Sequence, residues 1–253
     1  MYQFFVEDEQ VARYTSEENN RLGEIHIIGN DVNHIRNVLR MHGGEKVRIS
    51  DTSGCAYFCH LEQITEDEVT AAIDSIDEKG TELPNQIYLF QGLPKSDKME
   101  LIIQKATELG VYQVIPVAMR NCVVKLDAKK AESKVKRWQT IAVSAAKQSK
   151  RTVIPDVQMP VTWKEALRIA EALDVKLVPY ENERGMEATR QIMAQIKPGE
   201  SIGIFIGPEG GFAEDEIAGV SDEMHRISLG RRILRTETAG LATLAMLVYQ
   251  LEE

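Results

Sequence analysis

Ile204-Phe205-Ile206 runs straight into Gly207-Pro208-Glu209-Gly210-Gly211-Phe212, and a helix-like segment follows at once. A β-branched and aromatic run that stops at a Gly-Pro loop reads as a buried strand whose carboxyl end turns sharply. Ile227-Ser228-Leu229-Gly230 repeats the arrangement, followed by Arg231-Arg232-Ile233-Leu234-Arg235-Thr236-Glu237-Thr238-Ala239. Glycine at a strand end lets the backbone approach a ligand, because no Cβ stands in the way. Two such turns in succession predict one pocket at the carboxyl edge of a sheet, where open α/β folds hold their ligands.

The residues around the first turn restrict what that pocket takes. A phosphate cradle needs converging N–H groups, usually a nearby lysine, and no competing anion. This loop carries Glu209 and no lysine, and matches neither G-x-x-x-x-G-K-[ST] nor G-x-G-x-x-G. A neutral or cationic ligand suits it better than a di- or triphosphate. An adenosyl group carrying a sulfonium, as in S-adenosylmethionine, is such a ligand, and it points to methyl transfer.

The 253 residues suffice for two domains, and 43% hydrophobic with 27% charged residues is ordinary for a globular protein. The N-terminus turns acidic at Glu7-Asp8-Glu9, too early for a signal peptide, and the apolar stretch 239–251 is too short to span a bilayer. A cytoplasmic protein is expected. Three cysteines give no disulfide framework, and Cys55, Cys59 and His60 lack metal-site spacing, so no metal is expected.

Charge is unevenly spread. Between Arg120 and Arg151 ten basic residues face two acidic ones, a local +8 in a chain whose net charge is −9. Ala131, Val135, Trp138, Ala142 and Ala145 recur at helical steps, leaving most lysines on other faces. Such segregation predicts a polyanion-binding face on an acidic body, with Lys134, Arg137 and Arg151 as candidate RNA contacts. His34, Arg36, Arg40, His42, Lys46 and Arg48 form a smaller basic group that extends it.

Up to about residue 76 the chain reads as mostly β, with strands at 22–28, 46–50, 55–61 and 69–73 around one helix at 31–41, which suggests a compact barrel. The polar stretch 74–85 reads as a domain boundary. Beyond it, strands at 87–90, 111–117, 175–179 and 201–206 alternate with helices. Asp97 with Glu100 and Thr162 with Glu165 read as capping pairs, and helices are expected at 186–196 and 238–251. This alternation predicts a mainly parallel sheet covered on both faces.

Leu93-Pro94-Lys95-Ser96-Asp97-Lys98-Met99, Gln104-Lys105-Ala106-Thr107-Glu108-Leu109-Gly110, the loop at Gly207 to Phe212, and the segment from Leu229 to Ala239 stand in one order along the chain. Together they closely resemble the bacterial 16S ribosomal RNA uracil-N3 methyltransferases, the small-subunit methyltransferase E family of the SPOUT superfamily. The resemblance implies a PUA-like β-barrel RNA-binding domain at 1–74 and, at 75–253, an α/β methyltransferase domain tied in a trefoil knot. It also implies a homodimer, S-adenosylmethionine as cofactor and N3-methyluridine in small-subunit RNA as product. Carried onto this chain, the cofactor pocket comprises Val178 or Pro179, then Gly207, Glu209, Gly210 and Gly211, then Ile227, Leu229, Gly230, Ile233, Leu234 and Thr238. Lys95 joins the RNA contacts. One departure stands out: Lys147 occupies a position where the family commonly has an acid, while Gln148 and Arg151 are kept.

N3 of neutral uracil carries a proton that must leave before or during methylation. A guanidinium beside a uracil carbonyl stabilises the resulting anion, and Arg235, between the second turn and the last helix, is the expected group. Its alternative role is an ion pair with Glu237 or Glu209; either carboxylate is a candidate proton acceptor. The target base is expected to be unpaired or extruded.

Overall fold

The computed structural model describes residues 1–14, 22–220 and 223–252. Contacts divide the chain into two units, one formed by 1–82 together with 147–153, the other by 83–146 and 154–253.

In the first unit, strands β1 (Tyr2–Val6), β2 (Val11–Arg13) and β3 (Gly23–Ile28) precede a one-turn helix α1 (Asn30–Asn33); β4 (Lys46–Asp51), β5 (Ala56–Ile64) and β6 (Glu68–Ile76) follow. They form one sheet in the order β1-β4-β5-β6-β3-β2, antiparallel except for the β1–β4 pair. β1 and β2 lie at opposite ends of this path, yet only residues 7–10 join them. Six flat strands would span roughly 24 Å, whereas five Cα steps reach at most about 18 Å, so the sheet must curl back on itself. Arg13 on β2 closes the curl: its guanidinium lies 2.8 Å from Asp51 and 2.7 Å from the Tyr57 hydroxyl, on β4 and β5. Alternate residues such as Phe4, Ile25, Ile27, Val47, Ile49, Leu61 and Val69 fill the interior.

The helix expected at 31–41 changes form along its length and stops earlier. Asn30–Asn33 is α-helical, but His34–Val38 widens into a π turn and Arg40 takes a left-handed φ of 52°. β1 and β2 were not foreseen as strands. Cys59 is buried in β5, where burial pushes its thiol up to about 12. Cys55 is exposed, and His60 pairs with Asp74 at 2.7 Å. Lys147 anchors this unit: it meets both carboxylate oxygens of Asp31, at 2.9 and 3.0 Å, and its ammonium lies 5.6 Å from the centre of the Phe4 ring. Here it is a structural cation.

The second unit holds β7 (Ile87–Gly92), α2 (Lys98–Glu108), β8 (Gln113–Ala118) and most of α3 (Ala128–Ser149). Then come β9 (Asp156–Val157), β10 (Val161–Thr162), α4 (Trp163–Ala170), β11 (Val175–Pro179), α5 (Glu187–Gln195), β12 (Ile202–Ile206), α6 (Glu214–Ala218), β13 (Met224–Ile227) and α7 (Thr236–Leu251). The sheet is parallel throughout, in the order β10-β8-β7-β12-β11-β13, with β9 also on β8. Its central strands β7 and β12 are almost wholly apolar, as burial on both faces requires, and Phe90 stacks on Phe205 at 4.3 Å. Thr162 and Glu165 form the expected capping box. Asp97 does not cap α2 with its side chain, and Glu100 pairs instead with Arg137 at 2.7 Å. Among the described residues no helix is long and apolar enough to cross a membrane.

Candidate functional site

Because every strand of the parallel sheet runs the same way, register decides which turns meet at its carboxyl edge. Ile206 lies opposite Gln91, and Pro179 opposite Ile227. The chain therefore leaves β7, β12, β11 and β13 side by side, and these exits enclose a cavity of about 390 Å³. That is within the usual range for small-molecule sites, roughly 300–1,000 Å³.

The first turn is held by contacts that only glycine permits. A Cβ on Gly207 would meet the Gly211 carbonyl carbon and the Phe212 nitrogen at 3.2 Å, and Gly211 takes a φ of +68°. Gly92, at the end of β7, passes so close that its Cβ would fall 2.7 Å from the Pro208 nitrogen. Asn121 staples the turn from outside, donating to the carbonyls of Gly210 and Gly211 at 3.1 and 3.2 Å. The second turn is fixed by buried Thr189 on α5, which accepts from the Ser228 N–H at 3.0 Å and donates to its carbonyl at 3.1 Å. Gly230 there has a φ of +104°. Thr236, the first residue of α7, ties the two turns together: it accepts from Gln91 at 2.9 Å and donates to the Gly207 carbonyl at 2.7 Å.

Glu209 and Glu237 share one cation, and it is Lys98 rather than Arg235. The ammonium lies 3.0 Å from Glu209 and 3.1 Å from Glu237, and the Lys95 N–H also donates to Glu209 at 3.0 Å. Burial raises the proton affinity of Glu209, but the Lys95 N–H and the Lys98 ammonium outweigh it, and its pKa falls below the ordinary value. Glu237 is lowered too: burial is outweighed by its own backbone N–H and the Lys98 ammonium, and the nearby Arg235 charge adds to them. Lys98 in turn is raised, first by Glu209 and then by Glu237. Contacts that lower a carboxylate's pKa weaken it as a proton acceptor. Both side chains are built to hold charge and position.

Of the residues expected around the cofactor, Pro179, Gly207, Glu209, Gly211, Leu229, Gly230, Ile233 and Leu234 line the cavity, and so does Arg235. Val178 and Ile227 are buried behind the wall, while Gly210 and Thr238 lie outside the lining. Sequence reasoning missed Lys98, Tyr180, Glu181, Arg184, Phe212 and Thr236, which also line it. Lys98 and Thr236 stand inside motifs already singled out, but nothing local says that they face a ligand. Of the expected RNA contacts, Lys134 is half-buried on α3 with no ionic partner among the described residues, and Lys95 is exposed. Arg36 lies 3.6 Å from Glu66, Arg137 is paired with Glu100, and Arg40 ends the π turn. Arg151 is 4% exposed and bound to Glu82, so its charge is spent inside the first unit.

The family model for an RNA methyltransferase domain matches residues 81–248, and that for an RNA methyltransferase PUA domain matches 27–74. The ribosomal RNA small subunit methyltransferase E of Bacillus subtilis is 39% identical over 230 residues, covering 89% of this chain and 90% of its own. The crystal structure of the corresponding Neisseria gonorrhoeae enzyme, bound to S-adenosyl methionine, is 30% identical and superposes with a TM-score of 0.80 over 99% of this chain and 98% of its own. A putative methyltransferase from Legionella pneumophila, also in complex with that cofactor, is 28% identical with a TM-score of 0.80 over 98% and 97%. With a PUA domain ahead of an α/β methyltransferase domain, and with this likeness along nearly its full length, the chain belongs to the ribosomal RNA small subunit methyltransferase E family.

Proposed function

We propose that this protein transfers a methyl group from S-adenosylmethionine to N3 of a uridine in the RNA of the small ribosomal subunit. The observation that carries the proposal is the single cavity built by both glycine turns, with Glu209 held ionised at its rim by Lys95 and Lys98. Its lining fits the cofactor. Apolar Ile206, Leu229, Leu234 and Phe212 offer surface to an adenosyl group, close backbone at Gly207, Gly211 and Gly230 offers polar atoms, and Glu181 and Glu209 favour a cation.

When bound, S-adenosylmethionine supplies an electrophilic methyl group on a positively charged sulfur. The chain's own residues do the rest. Pro179, Gly207, Gly211, Leu229, Gly230, Ile233 and Leu234 hold the cofactor, with Val178, Gly210, Ile227 and Thr238 supporting them from behind or beside the lining. Arg235 is exposed at the cavity wall, where a guanidinium offsets the charge that uracil acquires as its N3 proton is lost to water. Glu209 serves this step as an orienting charge, since its lowered pKa argues against a proton-accepting role. Residues 1–74 act as the RNA-binding domain and 75–253 as the knotted catalytic domain, with Arg36, Arg40, Lys95, Lys134 and Arg137 as phosphate contacts. The protein works in the cytoplasm as a homodimer; Tyr249 on α7, 89% exposed, supports a partner surface on that helix.

Titration calorimetry with S-adenosylmethionine, joined to mass spectrometry of ribosomal RNA from cells lacking the protein, tests the proposal. It expects cofactor uptake and the loss of one N3-methyluridine; an unchanged RNA profile would overturn it.

A further inference from the structure

The cavity is lined by acids, of which Glu209 is paired with Lys98, and by a set of guanidiniums. Glu209 is bound to Lys98, which also holds Glu237, and Glu181 lies 3.6 Å from where a Cβ on Gly211 would be. These acids gather around the first turn. Four guanidiniums, those of Arg184, Arg231, Arg232 and Arg235, line the same cavity, three of them on the segment that follows the second turn. Glu183, beside Arg184, also belongs to the lining. Among the described residues no carboxylate comes within ion-pair distance of any of the four guanidiniums. Between them Ile233 is 82% exposed, a large apolar side chain offered to solvent at the cavity wall. On α3, by contrast, Lys130 and Arg137 are already paired with Asp127 and Glu100.

We infer that Arg231, Arg232 and Arg184 form a clamp for the phosphodiesters on either side of the target nucleotide. The inference rests on reading this cavity as the methyltransferase site. A methyl donor is a cation and its RNA acceptor a polyanion, so one cavity serving both needs an acidic lobe and a basic one. Unpaired guanidiniums beside a site that takes an extruded base are what the backbone on either side of that base needs, because positive charge tracks single-stranded RNA. Arg is suited to the task because its planar fork matches phosphate oxygens.

The test uses the full-length protein and a fluorescein-labelled, uridine-rich single-stranded RNA. Anisotropy is measured across a salt titration for wild type, for the double variant Arg231→Ala/Arg232→Ala, and for Arg231→Lys/Arg232→Lys. Each phosphate contact on a single strand contributes about 0.7 to the slope of log K against log salt, so the alanine pair reduces the slope by about 1.4. Over a fourfold rise in salt, wild type then loses about sevenfold more affinity than the variant. The lysine pair keeps the wild-type slope, and all three proteins still take up S-adenosylmethionine in calorimetry. An unchanged slope in the alanine pair overturns the clamp, as does a change in oligomeric state by sedimentation, which would give the loop to a contact between copies. If wild type takes up no S-adenosylmethionine, the proposed function itself fails; if it does while the slope is unmoved, the clamp alone fails.

Discussion

Gly92→Ala is the sharpest probe of how the first turn is held. The added Cβ would fall 2.7 Å from the Pro208 nitrogen, 2.8 Å from its Cδ and 3.0 Å from the Gly207 carbonyl carbon. Non-bonded carbon atoms rest at about 3.5–4.0 Å, so the turn must retreat by roughly 0.7 Å. All three atoms belong to a peptide bond or a proline ring, and no side-chain rotation relieves the overlap. Overpacking of this kind costs about 1–3 kcal/mol. For a chain of this size that lowers Tm by about 2–4 °C per kcal/mol, and a shift approaching 1 Å in a site can cost up to about 100-fold in rate. Gly240→Ala is the matched control. Its Cβ meets Ile206 and Leu89 at 3.4 Å, an ordinary contact, and within α7 alanine gains up to about 1 kcal/mol over glycine. Scanning calorimetry and cofactor titration should show Gly92→Ala less stable and weaker in binding, and Gly240→Ala equal to wild type or more stable. A Gly92→Ala protein with wild-type Tm and cofactor affinity would refute the close-approach argument.

Lys98→Met leaves Glu209 and Glu237 without their shared cation, so both carboxylates become easier to protonate. If they must be ionised to favour a cationic cofactor, the acid limb of S-adenosylmethionine binding moves to higher pH; an unmoved limb in calorimetry rejects the linkage. Asp51→Asn tests the closure of the first unit. Burial raises Asp51, but Ser53, Tyr57, the Cys55 N–H and Arg13 outweigh it, and its pKa falls below 3.8. Its stabilisation is therefore present above pH 3.8 and lost as pH falls through the lower folded value, so the variant's deficit of about 1–3 kcal/mol at pH 7 should shrink in acid. Equal denaturation curves at pH 7 would show that the pair, half-exposed at Arg13, contributes nothing. Lys134→Glu should weaken RNA binding with little change in Tm, because Lys134 has no ionic partner among the described residues, whereas Arg137→Glu should also lower Tm because it opposes Glu100.

What the sequence revealed about the site was what glycine and β-branched residues encode locally. The runs Ile202–Ile206 and Val175–Pro179 were read within a residue of their ends, and both glycine turns were foreseen as walls of one pocket. Contacts between distant residues were not legible. The pair Asp97 and Glu100 matches a helix cap in spacing, yet Glu100 is held by a guanidinium 37 residues away. The same blindness inflated the basic helix: a charge count cannot see that Lys147 belongs to Asp31 and Arg151 to Glu82. Lys98 was passed over for the opposite reason. Its two carboxylate partners lie more than a hundred residues downstream, and only the return of α7 beside β12 brings them to it.

The distribution of unpaired charge, rather than its sum, explains how a chain of net charge −9 can serve RNA. Long-range repulsion between an acidic body and a polyanion is screened over about 8 Å at physiological salt, whereas contacts inside a partly closed cavity are screened far less. Five of the ten basic residues of the 120–151 stretch, Arg120, Lys130, Arg137, Lys147 and Arg151, are held in ion pairs and have less to offer a phosphate. Paired cations release fewer counterions on binding and so contribute less affinity. The guanidiniums after the second turn have no such partner among the described residues, and they line the cavity proposed for the cofactor. Cations left free at the cavity direct RNA by position, since an extruded base that reaches the cavity brings its flanking phosphates with it.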